Sequence, residues 1–247
     1  MATIAIGDIH GNLAALNDLL SQVAPQVSDE DVVVFLGDYI DRGPDSRGCV
    51  ETILGFIEQV PASVVCLLGN HEDWMLRSAR DHSKHSWLLS MDALTTIESY
   101  SQAAARELRA AIADAGLRLY LGGVHLPYDV FFDAMAPSHR KFFDHLALCH
   151  ETPDCFCSHA GLNPLVPTLA EQTRDDLVWG HGRFPADYRG EQFVVYGHEA
   201  CHDLDADGWP KIRIEGRTFG IDTISHGVLT AIRFPERQII RSARHVC

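Results

Sequence analysis

Residues 32–43 read Val-Val-Val-Phe-Leu-Gly-Asp-Tyr-Ile-Asp-Arg-Gly, an apolar run followed at once by a charged turn. A short apolar run that stops at a glycine is typical of a buried β-strand, so we expect Asp38 at the carboxyl edge of that strand. Open α/β sheets form their binding sites at this edge. There Asp38 could hold a cation, Asp41 could orient a neighbouring side chain, and Arg42 could bind a planar anion. The alternative interpretation is a polar turn whose charges are only solvated.

Two other stretches repeat this order of apolar strand, glycine and polar residues. Residues 3–6 precede Gly7, and residues 64–68 precede Gly69. The metal-capable residues that follow the three strands are Asp8, His10, Asp38, Asn70 and His71. Adjacent strands lie about 5 Å apart, and parallel strands bring their carboxyl ends to one edge of the sheet. We therefore expect these side chains to form one site.

The second half of the chain adds two short strands that end at a histidine. Residues 155–158 lead to His159, and residues 193–196 lead to His198. Both histidines thus occupy the kind of position that Asp38 occupies after the earlier strand, and we expect them to join the same site.

The succession of patterns predicts the fold. The early part of the chain alternates strand and helix, and residues 218–241 alternate in the manner of antiparallel strands. Residues from about 73 to 150 carry helical patterns and aromatic clusters. We predict an α/β fold in which two mixed β-sheets pack as a sandwich flanked by helices. It would be a single domain over residues 1–247, with a helical insertion at about 73–150.

Composition limits the partners and the location. The chain has 247 residues, 46% of them hydrophobic, and a formal net charge of −14. Broad binding to nucleic-acid polymers or to anionic membranes needs clustered Lys and Arg, so we expect neither. Seven cysteines, an odd number in a long chain, do not indicate a disulfide framework, and neither a secretory signal nor a membrane-spanning run is found. We expect a cytoplasmic protein whose cysteines are mostly buried.

The candidate metal ligands are carboxylates, an amide and imidazoles, with no thiolate: Asp8, His10, Asp38, Asn70, His159 and His198. This donor set suits manganese, iron or zinc better than calcium or a structural zinc site. Six donors are too many for one ion. Two divalent ions bridged by a carboxylate can activate water and hold a phosphoryl group during its displacement. We expect two such ions, manganese foremost, with Asp38 as the bridge.

Five short motifs follow one another along the chain: Gly7-Asp-Ile-His-Gly11, Gly37-Asp-Tyr-Ile-Asp-Arg-Gly43, Gly69-Asn-His-Glu72, His159-Ala-Gly161 and Gly197-His198. In this order they resemble the motifs of the phosphoprotein phosphatase family of calcineurin-like metallophosphoesterases. The resemblance covers nearly the whole chain and implies a two-sheet sandwich with a binuclear centre. The ligands it implies for one ion are Asp8, His10 and Asp38. Those it implies for the other ion are Asp38, Asn70, His159 and His198.

The same resemblance implies roles for the remaining polar residues. His71 would be the general acid that protonates the leaving oxygen, and Asp41 would orient its imidazole. Arg42 would bind the phosphoryl oxygens. A hydroxide bridging the metals would be the nucleophile, without a covalent phosphoenzyme.

One position departs from the family pattern. Bacterial members usually carry a second phosphate-binding arginine two residues after a Leu-Val-Trp run, which ends here at Trp179. His181 occupies that position, and an arginine follows at Arg183. We expect Arg183 to reach the site through the adjacent glycines, with His181 as the alternative.

Three hypotheses of function follow. The first is hydrolysis of phosphomonoesters, such as phosphoserine or phosphothreonine in a protein or peptide, and residues 87–89 and 96–100 resemble the small bacterial and phage protein phosphatases. The second is a symmetrical diadenosine tetraphosphate hydrolase, which acts on a small phosphorylated substrate and shares every catalytic motif. The third is a non-catalytic metal-binding scaffold, although a scaffold has no need of His71 or Arg42.

Three other patterns resemble metal sites. Residues 198–202 match HExxH, but the sequence around them is not helical. Residues 203–208 begin like a calcium loop, yet Ile214 stands where that loop requires glutamate. Cys155-x-Cys157 is too closely spaced for a common zinc site and lies in a strand pattern. We expect a protein that uses none of the three.

Overall fold

The computed structural model describes residues 1–245. Its strands, in chain order, are β1 Thr3–Ile6, β2 Val32–Phe35, β3 Ser63–Cys66, β4 Cys149–Glu151, β5 Cys155–Ser158, β6 Phe193–Tyr196, β7 Arg213–Glu215, β8 Thr218–Gly220, β9 Thr230–Phe234 and β10 Gln238–Arg241. Its α-helices are α1 Leu13–Val23, α2 Ser46–Gln59, α3 Asn70–Arg80, α4 Ser86–Ser90, α5 Ala93–Tyr100, α6 Gln102–Ala115, α7 Arg118–Leu121, α8 Asp129–Phe132, α9 Pro137–Asp144 and α10 Arg174–Trp179.

The strands form two five-stranded mixed sheets. The first has the order β10-β9-β1-β2-β3, and its β1, β2 and β3 are parallel. The second has the order β4-β5-β6-β8-β7, and its β5, β6 and β8 are parallel. Antiparallel strands complete both sheets, which confirms the predicted α/β fold of two mixed sheets flanked by helices.

Strand register brings the ends of the parallel strands together. Ile6 at the end of β1 pairs with Phe35, and Phe35 pairs with Cys66 at the end of β3. In the second sheet Cys157 pairs with Val195, so β5 and β6 also end side by side. Polar residues that follow these strands therefore meet at common edges, as the sequence patterns predicted.

Apolar cores hold the layers in place. One lies between the sheets, where side chains such as Val34, Leu67 and Phe219 are buried. The larger core joins the first sheet to the helices, including Trp87 and Phe131 of the predicted insertion. Residues 73–150 contain most of α3 and all of α4 to α9, joined by turns and loops, and β4 begins at the end of this section.

Local sequence explains where the flanking helices begin. The Asn12 side chain accepts a hydrogen bond from the Ala15 amide at the start of α1, and Asp45 accepts one from the Gly48 amide at the start of α2. Such caps satisfy amides that have no partner within the helix. In α1 the residues Leu16 and Leu19 face the core at helical spacing.

None of the six described cysteines forms a disulfide, and four of them are buried; the six are Cys49, Cys66, Cys149, Cys155, Cys157 and Cys201. Cys247 lies outside the described residues. Among residues 1–245, no helix has both the length and the apolar character needed to cross a bilayer.

Candidate active site

The six predicted metal ligands converge at the joint between the two sheets, and Asp38 lies at their centre. One Asp38 oxygen, Oδ2, lies 3.5 Å from His10 Nε2, and the other, Oδ1, lies 3.4 Å from His159 Nε2. Asn70 Oδ1 lies 2.9 Å from His159 Nε2 and 3.1 Å from His198 Nδ1. The two carboxylate oxygens of Asp38 thus face two different sets of donors.

Asp8 completes the set from the first strand. Its Oδ2 accepts a hydrogen bond from the His198 amide at 3.0 Å, which joins the turn after β1 to the turn after β6. Ligand atoms within 4.8 Å of one another form two groups, one of His10, Asp38 and His71 and one of Asp8, Asp38 and His159. Both groups contain Asp38. The division of the six ligands between two ions stays a prediction.

Backbone conformation is unusual at these turns. His10, Asp38 and His198 have φ values of 46°, 53° and 63°, in the left-handed region that side chains other than glycine seldom adopt. Asp41 and Arg42 lie there as well, with φ values of 70° and 66°. Such strained residues persist only where surrounding contacts hold them, and they cluster at functional sites.

Backbone carbonyls orient two of the histidines. His10 Nδ1 lies 2.9 Å from the Ile40 carbonyl oxygen, and His159 Nδ1 lies 2.9 Å from that of Leu36. A carbonyl can only accept, so Nδ1 carries the proton in each ring. The unprotonated Nε2 atoms are then directed toward Asp38, the tautomer that a metal-binding histidine needs.

Electrostatics favour a bound cation. Burial lowers the pKa of His10 to about 3 and that of His198 to about 4, so both rings are neutral at pH 7. Burial, together with the carboxylates of Asp222 and Asp38, raises the pKa of Asp8. A site of crowded carboxylates and neutral imidazoles lacks positive charge at its centre.

Two buried ligand atoms without hydrogen-bond partners indicate whether divalent metals fit this site. Within the described part of the chain, Asp8 Oδ1 and His10 Nε2 are buried without a hydrogen-bond partner. Buried polar atoms are rarely left unpaired because the loss of hydration is costly. A divalent ion would satisfy both, so the residues present fit the predicted metals.

The predicted acid, its partner and the anion-binding residue lie beside the ligands. His71, in the first turn of α3, is buried, and its Nδ1 lies 2.7 Å from Asp41 Oδ2. Arg42 is exposed, and its Nη2 lies 3.3 Å from His71 Nε2. Burial opposes protonation of His71, but Asp38 and Asp41 outweigh it and raise the pKa of the ring. An imidazole that can carry a proton and a guanidinium therefore share one side of the centre.

The second anion-binding position stays open between two residues. Arg183 is exposed, and its Nη1 lies 3.6 Å from Asp187. The Arg183 amide donates a hydrogen bond to Nδ1 of half-buried His181 at 3.3 Å. Both follow Gly180, which packs near the His198 ring. Arg183 and His181 both stay predictions as phosphate ligands.

Glu72 is a site residue to which the sequence patterns gave no role. Its carboxylate is fully buried and accepts hydrogen bonds from the amides of Asp38, Tyr39 and Gly69 at 3.0, 2.9 and 3.2 Å. It therefore fixes the turn that carries Asp38. An acidic residue in the first turn of a helix is a capping signal, and this signal could have identified it.

Asp222 is a further buried carboxylate beside Asp8. Burial and Asp38 raise its pKa to about 6. It follows β8, so the rule of polar residues after strand ends would have included it.

The three alternative metal patterns have other structural explanations. Residues 198–202 form no helix, and Glu199 pairs with Arg213. In the acidic turn, Asp205 Oδ1 accepts hydrogen bonds from backbone amides of the same turn. Cys155 and Cys157 lie on β5, with their sulfur atoms 3.8 Å apart inside the core.

A cavity of about 350 Å³ opens beside the site. Its walls are His10, Arg42 and Gly43 on one side and residues 224–227 on the other. Ligand cavities for small molecules usually start at about 300 Å³, so this space is large enough for a small organic group next to Arg42.

Two relatives of this chain carry the name bis(5'-nucleosyl)-tetraphosphatase. A bis(5'-nucleosyl)-tetraphosphatase PrpE [asymmetrical] from Geobacillus thermodenitrificans is 27% identical over 240 residues, covering 94% of this chain and 89% of the relative. A symmetrical bis(5'-nucleosyl)-tetraphosphatase from Pseudomonas fluorescens is 42% identical over 83 residues, which are 33% of this chain and 26% of the relative.

Solved structures share the fold. A protein provisionally described as a diadenosine tetraphosphatase has a TM-score of 0.59 at 22% identity, covering 97% of this chain and 92% of that one. A cold-active protein-tyrosine phosphatase from a Shewanella species has a TM-score of 0.53 at 15% identity, covering 97% and 77%. These identities support a common fold and nothing finer.

The family model described as calcineurin-like phosphoesterase matches residues 1–227. The match spans all five motifs and every predicted ligand. It confirms the resemblance. The chain belongs to the calcineurin-like phosphoesterase family of metal-dependent hydrolases.

Proposed function

We propose that this protein hydrolyses phosphate esters or anhydrides at the site around Asp38. The observation that carries the proposal is the buried His71–Asp41 pair, 2.7 Å apart, beside the converged ligands and exposed Arg42. Two divalent ions, manganese foremost, would supply an activated water nucleophile and neutralise phosphoryl charge. A metal-binding scaffold would need no such proton donor.

The chain's own residues would each perform one task. His71 would donate a proton from its ring to the leaving oxygen, and Asp41 would hold that ring in orientation and stabilise its charged form. Arg42 would bind the phosphoryl oxygens through its guanidinium fork. Because Arg42 borders the cavity of about 350 Å³, the group attached to the phosphate would lie against residues 224–227.

We infer that dinucleoside polyphosphates are the first substrate class to test. Two PrpE relatives, at 23% and 27% identity, match this chain over 96% and 94% of its length, and both carry the name of an asymmetrical tetraphosphatase. The match to the symmetrical tetraphosphatase covers 33% of this chain. The second candidate is a phosphoserine or phosphothreonine phosphatase, which the resemblance of residues 87–89 and 96–100 supports.

A substrate panel separates these candidates. The purified protein with Mn²⁺ would be given diadenosine tetraphosphate, a phosphoserine peptide and p-nitrophenyl phosphate. We expect the dinucleotide to have the highest kcat/KM. Release of ADP alone indicates symmetrical cleavage, and release of AMP and ATP indicates asymmetrical cleavage. The absence of manganese-stimulated hydrolysis of every substrate would overturn the proposed function.

The His71→Asn variant tests the assignment of the acid. General acid catalysis contributes about 10²- to 10⁴-fold, and we expect a loss of this order on substrates with poor leaving groups. The predicted ligands remain, so bound metal measured by elemental analysis should be unchanged. An unchanged rate on poor leaving groups would remove His71 from this role.

A further inference from the structure

Asp41 has more hydrogen-bond partners than its role beside His71 requires. Its Oδ2 accepts from His71 Nδ1 at 2.7 Å and from Trp87 Nε1 at 2.9 Å. Its Oδ1 accepts from the Thr96 hydroxyl at 2.6 Å. The Asp41 side chain is fully buried, so each of these bonds lies in a medium where hydrogen bonds are strong and their loss is costly.

The direction of each bond around Thr96 can be assigned. Its single hydroxyl proton goes to the Asp41 carboxylate, because an ionised carboxylate only accepts. Thr96 Oγ1 then accepts from the Asp41 amide at 2.8 Å and from the Ser46 hydroxyl at 2.9 Å. The hydroxyl of Thr96 is saturated, and it holds both the backbone and the carboxylate of Asp41.

Trp87 and Thr96 both belong to the helical section at 73–150. Trp87 lies in α4 and Thr96 in α5, and both are fully buried. The Trp87 ring packs 5.5 Å from that of Phe131, which anchors α4 within the helical layer. The Ser99 hydroxyl accepts a hydrogen bond from the Arg47 amide at 3.1 Å, which fixes α5 against α2. The two donors are therefore rigidly placed.

We propose that Trp87 and Thr96 are positioning residues for the proton donor, so that the helical section serves catalysis as well as covering the sheet. The inference rests on the proposed role of His71. His71, Trp87 and Thr96 each donate a hydrogen bond to the Asp41 carboxylate, so the carboxylate is held in one orientation. Because Asp41 binds Nδ1 of His71, the ring is then held with Nε2 pointing in one direction. Removing Trp87 Nε1–H or the Thr96 hydroxyl lets Asp41 turn and misaligns the ring.

Trp87→Phe and Thr96→Val test this proposal, since each removes a donor and keeps an apolar side chain. The substrates would be a series of aryl phosphates that differ in the acidity of the leaving phenol. We expect kcat to fall about 10- to 100-fold for unsubstituted phenyl phosphate, the usual effect of losing a supporting hydrogen bond. A leaving phenol acidic enough to depart without a proton should lose less than about threefold. KM should not change, because neither residue contacts the substrate.

Control variants separate positioning from general damage. Thr96→Ser keeps the hydroxyl and should restore most of the rate. Thr95→Val removes the neighbouring hydroxyl, which bonds the Asp92 carbonyl instead, and should behave as wild type. In a His71→Asn background, Trp87→Phe should lower kcat less than about twofold, because the donor it positions is already gone.

The series of leaving phenols and the double variant with His71→Asn decide the inference. Equal losses for acidic and weakly acidic phenols, or a full additional loss in the His71→Asn background, would overturn the inference. Should Trp87→Phe fail to fold, Thr96→Val and Thr96→Ser decide the question alone. Hydrolysis by the wild type with no selective loss in the variants overturns only this inference. Absence of hydrolysis by the wild type overturns the proposed function and the inference together.

Discussion

Asp38 organises the site through its backbone as well as its side chain. Its carbonyl oxygen accepts hydrogen bonds from the amides of Ile9 and His10 at 3.0 and 2.8 Å, which fastens the turn after β1 to the turn after β2. Its Oδ1 accepts from the His71 amide at 3.2 Å.

The Asp38→Asn variant should lose both metal ions. An amide has one oxygen that can ligate and no negative charge, so it cannot bridge two cations. We expect elemental analysis of the purified variant to find less than one ion per chain, with hydrolysis abolished. Asp29→Asn, at an exposed surface position, is the matched control and should retain wild-type metal content. A variant with full metal content would show that Asp38 is not the bridge.

Strand ends carry most of the site, and close packing between them explains the glycine at position 69. Gly69 has a φ of −87°, which any residue can adopt. A Cβ atom there, however, would overlap Oδ1 and the backbone nitrogen of Asp38. Gly69 is therefore required for space, because β2 and β3 end too close together for a side chain.

Gly69→Ala should displace Asp38 without breaking the fold. Overpacking of this kind costs about 1–3 kcal/mol of stability. We expect a lower melting temperature, reduced metal content and a large loss of kcat.

Gly55→Ala is the matched control for Gly69→Ala. Gly55 lies inside α2, where a Cβ atom would meet only Gln59 Nε2 at 3.8 Å. Alanine favours a helix over glycine by up to about 1 kcal/mol, so this variant should be slightly more stable and fully active. Unchanged metal content in Gly69→Ala would contradict the explanation from close packing.

At the scale of the whole molecule, contacts of one buried carboxylate join strands of the first sheet at the end opposite the site. Asp31 precedes β2 and is buried. Its carboxylate accepts hydrogen bonds from the amides of Ala2 and Ser28 at 2.6 and 3.0 Å and lies 3.9 Å from Arg233 in β9. Burial raises the pKa of Asp31, but these partners outweigh it and leave the pKa below its ordinary value.

Asp31→Asn should therefore destabilise the protein in a pH-dependent way. A carboxyl group with a lowered folded pKa stabilises the fold above its unfolded pKa of about 3.9, and this stability is lost as pH falls through the folded pKa. A hydrogen bond to a charged group contributes about 1.5–3 kcal/mol, and we expect a loss of this order at pH 7.

Denaturant unfolding at several pH values, with Asp29→Asn as the control, measures the difference in free energy of unfolding between the wild type and Asp31→Asn. It should shrink as pH falls below about 4. Metal content should be unchanged, because Asp31 lies at the amino ends of the strands and the site lies at their carboxyl ends. A difference in stability that is constant with pH would contradict the role of the Asp31 charge.

Much of the fold and of the ligand set could be predicted because their signals are local. Apolar runs that stop at glycine identified the parallel strands, and parallel pairing then requires their carboxyl ends to meet. This reasoning places Asp8 and Asp38 at one edge of the first sheet and predicts that His159, after a strand of the second half, joins the same site. The glycine-bounded motifs were specific enough to indicate the family, which the match over residues 1–227 confirmed.

Other features depend on packing between distant segments. Asp41 meets Trp87 and Thr96 across 46 and 55 positions of the chain, and no periodicity encodes that contact. The sequence by itself therefore determined the strands, the residues at their ends and the family. Only the tertiary structure decided which side chains hold Asp41, that Glu72 fixes the turn of Asp38, and that a cavity opens beside Arg42. The physical reason is that local chain preferences define strands and turns, whereas the partners of a buried polar group are set by whichever elements pack against it.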